Sequence, residues 1–209
     1  MKAKKLMVLV MALACVATIS ITATLAYFTD TTDAVVNTFT VGKVEITMDE
    51  ANVDGKDAEG NDNSDEERDL ANDYYLVPSH TYVKDPTVYV DKDSEACFLF
   101  VTVANGIALI ETTEEGKTIA EQMDTLGWDV VDASKNLYCY CDADGKPKSV
   151  AAGADVVVFN EFTIEGTVDN TTLGRFGDAE IVVNAYAVQS AGLETKTAAE
   201  VWTASGFSL

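Results

Sequence analysis

Between Lys43 and Met48 the chain alternates. Val44, Ile46 and Met48 fall on one face, and Lys43, Glu45 and Thr47 on the other, which is the two-residue period of a half-buried strand. The same period marks Cys97–Val103, where Cys97, Leu99, Val101 and Val103 alternate with Phe98, Phe100 and Thr102. Large residues on both faces predict a strand covered on both sides or lying beside a partner chain. Thr87–Val90 follows Pro86 as a further strand. Trp128–Val131 and Leu137–Cys141 form a hairpin candidate, and Asp142-Ala143-Asp144-Gly145 then supplies a turn before another strand. Val156–Ile164 reads as one long β run. Ile181–Val188 is the last strand, with Ile181, Val183, Ala185 and Ala187 facing one way.

Helical spacing is rare. Ile119, Met123 and Leu126 place a helix over Lys117–Leu126, stopped by Gly127. Thr197-Ala198-Ala199-Glu200 is a capping-box pattern that opens a short helix carrying Val201 and Trp202. Many short strands separated by Gly, Asn and Asp turns predict a mostly β fold, an antiparallel β-sandwich with a few short helices.

The amino-terminal segment follows a different rule. Residues 6–25 carry no charge, Lys2, Lys4 and Lys5 precede them, and the first acidic residue is Asp30. A basic start, an apolar run and small residues at its end make a secretory signal. Thr24 and Ala26 satisfy the small-residue rule for cleavage between Ala26 and Tyr27. Residues 1–26 are therefore expected to be a signal peptide and 27–209 a single domain. Removing the three lysines takes the net charge from −21 to −24. Such a charge opposes nucleic acid as a partner, because phosphate binding needs a basic face. Membrane contact is expected only through the signal segment before cleavage, and the mature protein is expected outside the cell.

Much of that charge is concentrated. Residues 49–73 hold eleven acids against Lys56 and Arg68, which predicts an exposed or partly disordered acidic loop inserted in the sandwich. Its spacing does not match a calcium loop of the EF-hand kind: counted from Asp57, the sixth position is Asp62 rather than Gly.

Candidate chemistry is thin. The chain has one histidine, His80, next to Pro78-Ser79, and it reads as an exposed loop residue. Neither a His-Glu-x-x-His helix nor a Gly-x-Ser-x-Gly turn is present. No catalytic residue, cofactor or metal ligand is assigned. After signal removal three cysteines remain, Cys97, Cys139 and Cys141. An odd number forbids a complete internal disulfide set. Cys139 and Cys141 share a face, so either can pair with Cys97, or all three are buried thiols. Tyr27, Phe28, Val35, Val36 and Phe39 make an apolar, extended stretch at the mature amino terminus. It reads either as an edge strand of the monomer or as a strand that adds to a neighbouring sheet.

Several stretches resemble the TasA/camelysin family of exported Gram-positive proteins. They are Ala23-Thr24-Leu25-Ala26-Tyr27-Phe28-Thr29-Asp30, Asn37-Thr38-Phe39-Thr40-Val41-Gly42, and Lys84-Asp85-Pro86-Thr87-Val88. Ile181-Val182-Val183-Asn184-Ala185-Tyr186-Ala187-Val188-Gln189 and Ala198-Ala199-Glu200-Val201-Trp202 complete the set. The resemblance implies a jelly-roll sandwich, processing by a SipW-type signal peptidase, and assembly into extracellular biofilm matrix fibres with itself or related matrix subunits. It further implies that the donor strand is Tyr27–Thr40, with Tyr27, Phe28, Val35, Val36 and Phe39 as its contacts. Two alternatives accompany it: a camelysin-like cell-surface metallopeptidase, and a monomeric surface adhesin or ligand-binding module.

Overall fold

A computed structural model describes residues 42–56 and 60–209. The cleavage residues Ala26 and Tyr27, the donor residues Tyr27, Phe28, Val35, Val36 and Phe39, and Asp57 of the acidic segment lie outside the described residues.

Among the described residues ten strands form the frame: β1 (Ile46–Ala51), β2 (Arg68–Asp69), β3 (Thr81–Val83), β4 (Thr87–Val90), β5 (Cys97–Asn105), β6 (Trp128–Asp132), β7 (Leu137–Tyr140), β8 (Asp155–Val157), β9 (Glu161–Thr163) and β10 (Ile181–Gln189). Among the described residues three short α-helices accompany them: α1 (Ile119–Thr125), α2 (Asn170–Leu173) and α3 (Ala198–Ser205). All pairings are antiparallel. One sheet runs β2-β1-β4-β8, a second β10-β5-β7-β6, and β3 pairs with β9. The expected mostly β, antiparallel sandwich with a few short helices is the architecture observed.

β5 organises the layers. Cys97, Leu99, Val101 and Val103 point into the main core with Val88 and Val90 of β4, Val156 of β8 and Trp128 of β6. Phe98 and Phe100 point the other way. They join Leu137, Cys139 and Cys141 under Val201 and Trp202 of α3. The strand is thus buried on both faces, as its bulky alternation predicts. Thr197 caps α3 through a capping box with Glu200, and Gly206, at φ 75°, ends it. Aromatic rings extend the outer layer: Trp202 lies 5.3 Å from Phe100 and 5.2 Å from Tyr186.

This layering separates the thiols. Cys97 belongs to the inner core, whereas Cys139 and Cys141 lie on the opposite face of the sheet. The expectation that either can pair with Cys97 is corrected by that placement. All three are buried and free. Burial pushes the Cys97 thiol up to about 11. Cys139 is raised by its hydrogen bond with Cys141 and then by burial. Such thiols are poor nucleophiles at neutral pH.

Three further expectations change. Val156–Ile164 is not one strand. β8 pairs with β4, the chain turns at Val158–Asn160, and β9 pairs with β3. The side chain of Gln122 on α1 holds this turn. Its Oε1 accepts from the N–H groups of Asn160 (3.1 Å) and Glu161 (3.2 Å), and its Nε2 donates to the carbonyls of Glu161 (2.9 Å) and Lys117 (3.0 Å). The turn after Cys141 is present, with Gly145 at φ 72°, but only isolated bridges follow, Cys141 to Pro147 and Cys97 to Val150. Pro147 has no N–H with which to continue a ladder.

The acidic segment is less loose than predicted. β1 continues to Ala51, and β2 folds back on it with Glu50 opposite Asp69. Arg68 fastens this return. Its guanidinium binds the carboxylates of Asp49 (2.5 Å) and Asp85 (2.9 Å), the carbonyls of both residues (3.2 Å each) and the Thr87 hydroxyl (3.2 Å). All three guanidinium nitrogens donate, so one arginine bridges the two carboxylates.

Gln122→Leu keeps most of the volume but orphans the backbone groups at the β8–β9 turn. It is expected to lower unfolding stability by roughly 2–4 kcal/mol, as measured by urea denaturation of the wild type and the variant.

Candidate functional site

The two main sheets meet along two seams, and one is stapled. Trp128 of β6 donates its indole N–H to the Val157 carbonyl of β8 at 2.9 Å, joining the edge strands of the two sheets. The Gln122 contacts continue the closure on the same side.

The opposite seam lies between β1 and β10. In the β10–β5 ladder, Gly106 N–H bonds to Glu180 O and Ser190 N–H to Ala96 O. With the register Val183↔Val103, these bonds make the even-numbered residues of β10 the hydrogen-bonded partners of β5. The N–H and C=O groups of Ile181, Val183, Ala185, Ala187 and Gln189 therefore point outward. Among the described residues no strand pairs with that edge. The same reasoning applies to β1. Asp91 N–H bonds to Glu45 O, so odd residues face β4 and even residues face away. Glu50 and Asn52 are met by the β2 return, with Asn52 N–H bonding to Glu67 O at 3.0 Å. Among the described residues, Ile46 and Met48 have no strand beside them.

The two open edges face one cleft of about 330 Å³, lined by Ile46, Thr47, Met48, Val183, Asn184, Ala185 and Tyr186. Ile46, Met48, Ile181, Val183, Ala185 and Ala187 turn toward the core yet are only half-buried. A long edge strand with apolar side chains and no Lys or Pro along Ile181–Gln189 is what proteins otherwise avoid, because it recruits another strand. Met48 and Val183 also border a larger cleft of about 1110 Å³, walled by Tyr74, Phe162 and Phe176.

The site thus consists of backbone edges rather than of a reactive side chain. His80 is exposed and lies 4.5 Å from the Tyr82 ring, as a loop histidine. Among the described residues no group of three or more His, Cys, Asp or Glu side chains is placed to hold a metal ion. Also among the described residues, no helix is long and apolar enough to cross a membrane. The apolar alternation of β10 was readable from sequence as an inward face. Its position at the rim of the sheet was not, because that follows from the pairing. Compared with protein-family models, curated proteins and solved structures, the chain matches none.

The ladder assignment has a direct check. Ala187→Pro removes an outward N–H and should leave the monomer folded with little loss of stability. Val188→Pro removes a bond to β5 and should cost on the order of 3 kcal/mol. Thermal melts of the two variants test this difference.

Proposed function

We propose that this chain is a secreted structural subunit that assembles head to tail by strand addition, forming or capping extracellular matrix fibres. Residues Tyr27–Thr40 of one copy act as the donor strand, and the open seam between β1 and β10 of the next copy is the acceptor. The observation that carries this reading is the outer edge of β10, nine residues long and paired with no strand among the described residues. An edge of that length spans roughly 30 Å at about 3.3 Å per residue, and residues 27–40 are long enough to cover it. Tyr27, Phe28, Val35, Val36 and Phe39 supply apolar side chains for the cleft beside Ile46, Met48, Val183 and Ala185. Ladder bonds provide affinity, and alternate side chains provide specificity. A head-to-tail contact of this kind does not close on itself, so it generates filaments.

The resemblance of residues 23–42 to the exported matrix proteins supports the same reading, with a SipW-type peptidase freeing the donor at Tyr27. Charge fits as well. At −24 the mature subunit repels its copies and stays soluble until a specific contact outweighs the repulsion.

Negative-stain microscopy of purified Tyr27–Leu209 is expected to show thin filaments. Filaments should be lost on deletion of residues 27–40 and in Ala187→Pro, which blocks the acceptor edge. Growth should quicken with added salt as repulsion is screened. Undiminished polymerisation after the deletion would refute donor-strand assembly. Persistent monomers of the intact chain would favour the adhesin alternative.

A further inference from the structure

On β1 the inward face runs Val44, Ile46, Met48 and then Glu50. A carboxylate that continues an apolar face has to be met by donors. Glu50 is 5% exposed and has two of them. Its Oε2 accepts from Lys84 Nζ at 2.5 Å, and Lys84 is itself only 8% exposed. Its Oε1 accepts from Asn72 Nδ2 at 2.9 Å. One buried carboxylate therefore holds an amine and a carboxamide on its two oxygens.

The carboxylate and the amine are buried, and aromatic rings border the amine. Lys84 Nζ lies 5.9 Å from the centre of the Tyr74 ring, and Tyr74 packs edge-on against Phe162 at 5.1 Å. Burial, reinforced by the charge of Glu50, pushes the Tyr74 hydroxyl well up. Asn72 is fixed at both ends of its amide. Nδ2 also donates to Ala51 O at 3.0 Å, and Oδ1 accepts the Val53 N–H at 2.7 Å. The last bond draws electron density from the carboxamide carbon and is placed to stabilise an oxyanion on Oδ1. Glu50, Asn72, Tyr74 and Lys84 all line the larger cleft, which gives a small leaving group a way out.

We propose that Lys84 and Asn72 join in an intramolecular amide bond, with Glu50 as the proton carrier. Glu50 takes a proton from the Lys84 ammonium, and the neutral amine attacks Asn72 Cγ. Negative charge collects on Oδ1 under the Val53 N–H. Glu50 passes its proton to Nδ2, the Cγ–Nδ2 bond breaks, and ammonia departs carrying the other proton released by the amine. The lysine ammonium and the carboxamide become a secondary amide and an ammonium ion, and Glu50 ends as it began. No oxidant or cofactor enters. The product exchanges a buried ammonium, which is costly to desolvate, for a neutral group. It also ties the end of the acidic segment to the chain between β3 and β4, closing a covalent loop from Asn72 to Lys84. The inference rests on these three side chains alone and is independent of strand addition.

The test is mass spectrometry of the folded, mature protein held until its mass is constant. The expected intact mass under denaturing conditions is lower than that of the sequence by one ammonia. Trypsin should fail to cut after Lys84, giving a peptide Asp69–Lys92 closed into an internal ring, whose fragments join Asn72 to Lys84. Glu50→Gln and Asn72→Ala should restore both the sequence mass and cleavage after Lys84. Wild-type protein at its sequence mass that releases Asp69–Lys84 would overturn the proposal. So would an ammonia loss mapped to any other residue. The wild-type result decides the matter even where a variant fails to fold.

Discussion

The burial of β5 on both faces is the constraint from which the rest of the fold follows. Its odd residues fill the space between the sheets, and its even residues need a second cover, which α3 provides with Val201 and Trp202. A strand so enclosed needs neighbours on both sides. β7 takes one side and β10 the other, and among the described residues the sheet ends at β10. The edge position of β10 is thus a consequence of how the centre is covered. What distinguishes this sandwich is the unequal treatment of its two seams. A tryptophan indole and a glutamine side chain close one, and the other presents half-buried apolar side chains under outward-facing backbone groups. Unsatisfied ladder groups beside an apolar cleft are a standing source of binding energy.

The acidic segment shapes this opening. Through β2 and the Arg68 clamp it covers the far end of β1, so the open part of that strand is confined to the region of Ile46 and Met48. β10 carries no such cover among the described residues. The segment therefore combines two effects, a long-range charge that keeps copies apart and a short return that limits where a strand can dock. The Lys84–Glu50–Asn72 cluster sits where that return rejoins the sandwich, the place where a covalent tie would resist peeling.

The fold was legible wherever the period of two was clean. β1, β5 and β10 declare their inward faces through Val44–Met48, Cys97–Val103 and Ile181–Ala187, and Thr197 with Glu200 announces α3. The unbroken apolar run after Asp155 hid the split between β8 and β9, because the groups that hold the turn belong to Gln122, far away in sequence. β2 carries no apolar signal at all. Its position depends on the contacts of Arg68, which composition registers only as one of two cations among eleven acids. The cluster around Glu50 left one trace, a carboxylate in register with Val44, Ile46 and Met48. Reading that trace needed the partners that only the fold supplies. Which edge stays open was not legible, since it is decided by the order of strands and not by any residue of β10.

Amide hydrogen exchange, resolved by residue along β10, probes the acceptor edge most directly. In the monomer the N–H groups of Val183, Ala185 and Ala187 should exchange freely, while those of Val182, Asn184, Tyr186 and Val188 are protected by β5. On assembly the first set should become protected and the second should stay as it was. Odd-numbered amides that are already protected in the monomer, or that remain free in the assembled state, would contradict strand addition at this edge.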